Sequence, residues 1–150
     1  MRKLQRRLIL CLLLVAAITT TGLSQVVISQ VYGGGGNAGA TYTHDFIELF
    51  NRGTSPISLA GWSLQYASAT GTGNFGSSAT QITELPNVIL QPGQYFLVQQ
   101  AGGATGMALP TPDLIDPTPI SMAAGGGGAV LLFLALAMAA SCVYRSFSRI

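Results

Sequence analysis

Cysteine is nearly absent: the 150 residues hold two, Cys11 and Cys142, one toward each end. The stretch between them therefore has no internal disulfide, zinc knuckle or thiol nucleophile. Charge is scarce too, at 8% of residues, and there is one histidine, His44. The formal net charge of +2 hides where the charges sit. Arg2, Lys3, Arg6 and Arg7 crowd the N-terminal end, while from residue 25 onward Arg52, Arg145 and Arg149 face Asp45, Glu48, Glu84, Asp113 and Asp116. Between residues 25 and 128 only Arg52 opposes those five carboxylates. Nucleic acid is bound by several cations set against phosphates, so no nucleic acid is expected as a partner of this body. Residues 25–128 also lack any sustained apolar stripe of helical period with caps, which argues against α-helix there.

What charge there is marks processing. "MRKLQRRLILCLLLVAAITTTGLSQ" opens basic, runs apolar from Leu8 to Ile18, and ends in small polar residues with Gly22 and Ser24 before a cut. That is the layout of a secretory signal peptide over residues 1–24. A bilayer span needs about 20 apolar residues, so cleavage after Ser24 is expected, an uncleaved anchor being the alternative. The expected destination is outside the cytoplasm, secreted or in the cell envelope. At the other end, "AVLLFLALAMAASCVY" (129–144) is apolar throughout and is followed by Arg145 and Arg149. Periodicity alone allows either a membrane helix or a strand.

Between these ends, short apolar runs alternate with Gly, Pro, Asn and Ser. "VVISQVY" (26–32) reads as a strand, ended by "GGGGNAGA", which reads as a flexible hairpin loop. That loop has no Lys and precedes a strand rather than a helix, which excludes a phosphate-binding loop. "DFIELF" (45–50) is a second strand, stopped by the turn residues Asn51, Arg52 and Gly53. In "ISLAGWSLQY" (57–66), Ile57 and Leu59 share one face, and beyond a bend at Gly61 so do Trp62, Leu64 and Tyr66. "ITELPNVILQPGQYFLVQQ" (82–100) has the form of a strand pair turning at Pro92-Gly93. "AGGATGMALPTPDLIDPTPISMAAGGGG" (101–128) reads as a long loop. Short strands at this spacing predict an all-β sandwich or barrel.

Three motifs carry a resemblance. Ile47-Glu48-Leu49-Phe50-Asn51, Ile57 to Leu64 with Gly61-Trp62 at its centre, and Leu90 to Val98 with its Pro92-Gly93 turn resemble the lamin tail domain in its bacterial secreted form. The resemblance covers roughly residues 25–128. It implies an immunoglobulin-like β-sandwich used as a non-catalytic binding or surface-attachment module, for a protein, glycan or envelope ligand. Gln30 departs from the pattern, where many relatives carry Glu. The larger departure follows "SMAAGGGG", where relatives continue with a Lys and then apolar alternation. Three readings of residues 129–150 stay open: a membrane anchor or sorting tag through 129–144, the family's next strand extending the body to about residue 133, or an aberrant, frame-shifted ending of a truncated domain or of a fragment of a larger secreted protein.

The segment "HDFIELFNRGTSPISLAGWSL" (44–64) gathers the only His, the only Trp and two of the five carboxylates, so it is the place to look for chemistry. Trp62 is expected to be a core anchor, with Phe46 or Phe50 and Leu64 beside it. Glu48, flanked by Ile47 and Leu49, is expected to be half-buried and hydrogen-bonded. Alternation along a strand points Asp45 and Glu48 to opposite faces, so they do not share an ion, and His44 with Glu48 makes only two ligands. A small hydrolase using His44 with Asp45 or Glu48 is the alternative to a binding module, but no serine lies in an elbow motif. Asp113 and Asp116 stand close together in "TPDLIDPTP", which reads as a stiff loop. No catalytic or metal-binding residue is assigned, and no cofactor is expected.

Overall fold

A β-branched run, Val26, Val27 and Ile28, opens the first strand, β1 (Val26–Tyr32), whose Val26 and Ile28 face the core. The computed structural model describes residues 25–133 and 143–147; the expected signal peptide and the middle of the apolar tail lie outside them. A bulge at Ser29 shifts the register between Ile28 and Gln30, so that Val31 comes opposite Ile47 on β2 (His44–Asn51). Alternation on β2 buries Asp45, Ile47, Leu49 and Asn51 toward the interior. His44, Phe46, Glu48 and Phe50 take the outer face.

The chain then crosses to a small ribbon and a second sheet. β3 (Ile57–Ser58) pairs with β6 (Ile89–Leu90), seating Leu59 and Leu90 in the core. Gly61, at φ 77°, turns the backbone into β4 (Trp62–Ser68), as the sequence led one to expect of that glycine. β5 (Ile82–Glu84) lies along β4, and β7 (Tyr95–Gly102) returns to β2 after the Pro92-Gly93 turn. The expected strand pair at 82–100 is three separate strands, β5, β6 and β7, in three different sheets. The expected long loop at 101–128 contains β8 (Leu114–Ile115), parallel to β7, and buries Ile120 and Met122.

The last two strands, β9 (Gly127–Phe133) and β10 (Val143–Phe147), complete the second sheet. Its order is β10-β9-β4-β5, facing a first sheet of order β1-β2-β7-β8. Trp62, Leu64, Tyr66, Ala129 and Leu131 of the second sheet pack against Val26, Ile28, Ile47, Leu49, Phe96 and Val98 of the first. Each such fully buried aliphatic side chain stabilises the fold by about 1.5–3 kcal/mol. The fold is therefore an all-β, immunoglobulin-like sandwich. Residues 129–133 and 143–147, both overlapping the segment proposed as an anchor or tag, are strands. Among the described residues no helix is long and apolar enough to cross a membrane.

Candidate functional site

Strand alternation separates the candidate residues of 44–64. Asp45 points inward, where its Oδ1 accepts from the Gly35 amide at 2.6 Å and its Oδ2 from the Met122 amide at 2.7 Å. One carboxylate thus ties the Gly-rich loop and the 120–124 segment to β2. Burial pushes the Asp45 carboxyl above the ordinary aspartate range, and the amides of Met122, Gly35 and Gly34, with His44, pull it part of the way back. Glu48 is half-buried on the opposite face, as alternation required, and accepts from the Ser29 hydroxyl at 2.6 Å. The bulge on β1 is what brings Ser29 there. His44 holds the Thr43 hydroxyl at 2.9 Å through Nδ1, with Gly102 beneath its ring.

Asn51 does most at the other end of β2. Fully buried, it donates from Nδ2 to the carbonyls of Ser55 and Leu90 at 3.0 and 2.9 Å and accepts from the Gly53 amide at 2.9 Å. Its own main chain holds the Pro92-Gly93 turn through Gln94 and Gly93. The "NRG" turn is thereby locked to the hairpin preceding β7. Trp62 is 7% exposed and shares the core with Leu64. The expected neighbours Phe46 and Phe50 are a correction: both face outward from β2, because the core face is taken by Ile47 and Leu49. Phe46 stacks on Tyr32 with Tyr42 edge-on, and Phe50 lies 4.6 Å from Tyr95, ring centre to ring centre.

The spacing and order of these anchors match a known family. A family model described as Lamin Tail Domain matches residues 19–141. The chain belongs to the lamin tail domain family. No curated protein matches the chain. In this lamin tail domain the crowding of polar groups into one segment is scaffolding. Asp45, Glu48 and Asn51 each hold main chain or a hydroxyl of a neighbouring element, and they do not converge on a common point. Among the described residues no three of His, Cys, Asp and Glu are grouped to hold a metal ion. Two surface grooves, of about 310 and 320 Å³, are lined by neither His44, Asp45 nor Glu48.

The sequence reading missed a second polar centre of this lamin tail domain. Thr83 on β5, Gln100 on β7 and Asp116 after β8 are all buried. Thr83 Oγ1 donates to Asp116 Oδ2 and accepts from Gln100 Nε2 at 2.8 Å, while Gln100 Oε1 accepts from the Ile120 amide at 2.7 Å. Asp116 Oδ1 also takes the Thr118 amide at 2.8 Å. This chain crosses from one sheet to the other. Nothing in "TPDLIDPTP" signals it except an Asp before Pro, and Gln100 is an ordinary polar position at the end of an apolar strand. Asp113 is separate from it, pairing with the Leu97 amide at 2.8 Å to hold β8 on β7. The expectation of a stiff loop here is corrected to an edge strand with a buried carboxylate.

A third finding concerns "GGGG". A Cβ at Gly34, Gly35 or Gly36 would come within 2.3, 2.2 and 2.2 Å of Ala124, the His44 carbonyl carbon and Gly103 respectively. The loop read as flexible is packed against three other segments. Glycine is needed there because the backbones touch.

Proposed function

We propose that the chain is a non-catalytic, exported module that binds or attaches at the cell envelope. The observation that supports this best is the outer face of the first sheet. Val27, Phe50, Tyr95, Leu97 and Ile115 come together there by register, with Tyr95 54% and Ile115 62% exposed. Glu48 is the one carboxylate on that face of β2, and Ser29 already engages it. An aromatic and aliphatic surface of low charge suits a protein or glycan ligand and does not suit phosphates.

The test uses the full chain secreted with a C-terminal tag. A product beginning at Gln25 and recovered outside the cytoplasm supports export, and retention with residues 1–24 in the cytoplasm contradicts it. Saturable binding to isolated envelope material, reduced in a Tyr95→Ala, Ile115→Ser double variant of unchanged Tm, supports the module. Turnover of ester, phosphodiester or glycoside substrates that is lost in His44→Ala, with the fold intact, would overturn it in favour of a hydrolase.

A further inference from the structure

Among the described residues β5 is the outermost strand of the second sheet and pairs with β4 on one side only. Its register sets Ser63 opposite Glu84, Leu64 opposite Thr83 and Gln65 opposite Ile82. The Leu85 amide donates to the Trp62 carbonyl at 2.9 Å. In an antiparallel pair, hydrogen-bonded and non-hydrogen-bonded positions alternate. The bonded positions of β5 are therefore Leu85 and Thr83, and the main-chain groups of Ile82 and Glu84 point away from β4. The Ile82 amide turns back to the Ala79 carbonyl. The Ile82 carbonyl, with the amide and carbonyl of Glu84, faces an edge that no strand among the described residues covers.

That edge is shaped. A groove of about 310 Å³ runs beside it, lined by Ala79, Ile82, Glu84, Asp116, Pro117 and Thr118. A second, of about 320 Å³, lies across the ridge made by Ile82 and Glu84, over Ser63 and Gln65. Among the described residues no cation lines the first groove, and Glu84 is its exposed carboxylate, Asp116 being buried and bonded to Thr83 and Thr118. The strand is also fixed in advance, since Thr83 is tied through Asp116 and Gln100 to the other sheet. An edge that is already rigid loses little freedom when a partner adds to it.

We propose that this edge takes up an extended peptide carrying a basic side chain, as an added strand beyond β5. Main-chain bonds to the Ile82 carbonyl and to Glu84 would supply the pairing, and alternate side chains would enter the groove or cross the ridge. A Lys or Arg placed beside Glu84 answers the acidic lining. Because β5 is three residues long and Pro86 follows Leu85, the pairing is short and the binding modest. Short edges of this kind also discourage indiscriminate pairing. The inference adds a second surface to the binding module, separate from the outer face of the first sheet.

The full chain is titrated with a blocked six-residue peptide of alternating valine and threonine bearing one central lysine, followed by amide chemical shifts. Saturable shifts at Ile82, Thr83, Glu84 and Thr118 are expected. The same peptide N-methylated at the amide facing Ile82 should not bind, a test that leaves the protein unaltered. Glu84→Lys should weaken the lysine peptide about tenfold and favour its glutamate counterpart, as reversing one surface charge implies. No saturable binding, binding indifferent to N-methylation, or shifts centred on Tyr95 and Ile115 would each overturn the proposal. Loss of peptide binding here with envelope binding retained refutes the β5 edge alone and leaves the module reading standing.

Discussion

Replacing Gly35 by Ala separates two accounts of the Gly-rich loop by the sign of the effect. In a flexible loop, Gly→Ala restricts the unfolded chain and stabilises by about 0.4–1 kcal/mol. Gly35 has no positive φ, so its backbone conformation does not oppose the change. Space opposes it. The new Cβ would lie 2.2 Å from the His44 carbonyl carbon and 2.4 Å from the Asp45 nitrogen, both backbone atoms that no rotamer change can move. Overpacking of this kind costs about 1–3 kcal/mol. Pushing the loop outward also pulls the Gly35 amide off Asp45, from which it is now 2.6 Å, and a bond to a charged group contributes about 1.5–3 kcal/mol. The expected loss is therefore about 3–5 kcal/mol. With a urea slope of about 2 kcal/mol/M, the midpoint falls by about 2 M. Gly39→Ala is the control. Gly39 sits in the same loop at φ +77° with nothing within 4 Å, so it loses only the left-handed penalty of about 1–2 kcal/mol. A Gly35→Ala midpoint equal to or above that of the wild type would refute the close-packing account.

Trp62→Ala should destabilise by about 3–5 kcal/mol, and the wild-type tryptophan should emit well to the blue of a hydrated indole; emission like free indole would contradict its burial. Gln100→Ala leaves the buried Ile120 amide without its acceptor, costing about 1–3 kcal/mol for that group alone; hydrogen exchange should show lost protection at Ile120, and unchanged protection would mean the network is incidental. Because burial raises the Asp45 pKa, the folded state holds that proton longer than the unfolded chain. The stability this contributes is complete below the unfolded value of 3.8 and is lost as pH rises through the folded value. Asp45→Asn has no such slope, so the stability of the wild type relative to Asp45→Asn should fall as pH rises through the acid range, and urea midpoints measured across that range would show a constant difference if the reasoning is wrong.

Those expectations differ in how readable they were. β1 and β2, the bend at Gly61 and the burial of Trp62 follow from local alternation and turn chemistry, which act over a few residues. Alternation also separated Asp45 from Glu48 and so removed the most obvious constellation of chemical groups. It did not say which sheet face Phe46 and Phe50 would occupy. Two large rings compete with Ile47 and Leu49 for the core, and the register with β1 and β7 decides it. The Thr83–Gln100–Asp116 chain and the packing of "GGGG" against Ala124 and Gly103 join segments far apart in sequence. No local pattern encodes such meetings.

The place of β9 has a consequence for how the molecule comes into being. Trp62 lies opposite Phe133 and Ser68 opposite Gly127, so one of the two inner strands of the second sheet is supplied long after the other, β4. A chain emerging from the ribosome can pair β1 with β2 early, since residues 33–43 alone separate them. It must then hold β4 with an open flank until residues 127–133 arrive, and close a long loop to join them. During that interval β4 has only β5 beside it, and the flank that β9 will fill is exposed to wrong partners. The slow step in building this sandwich is expected to be that late insertion, and its rate should follow β9 rather than the hairpin with which the fold begins.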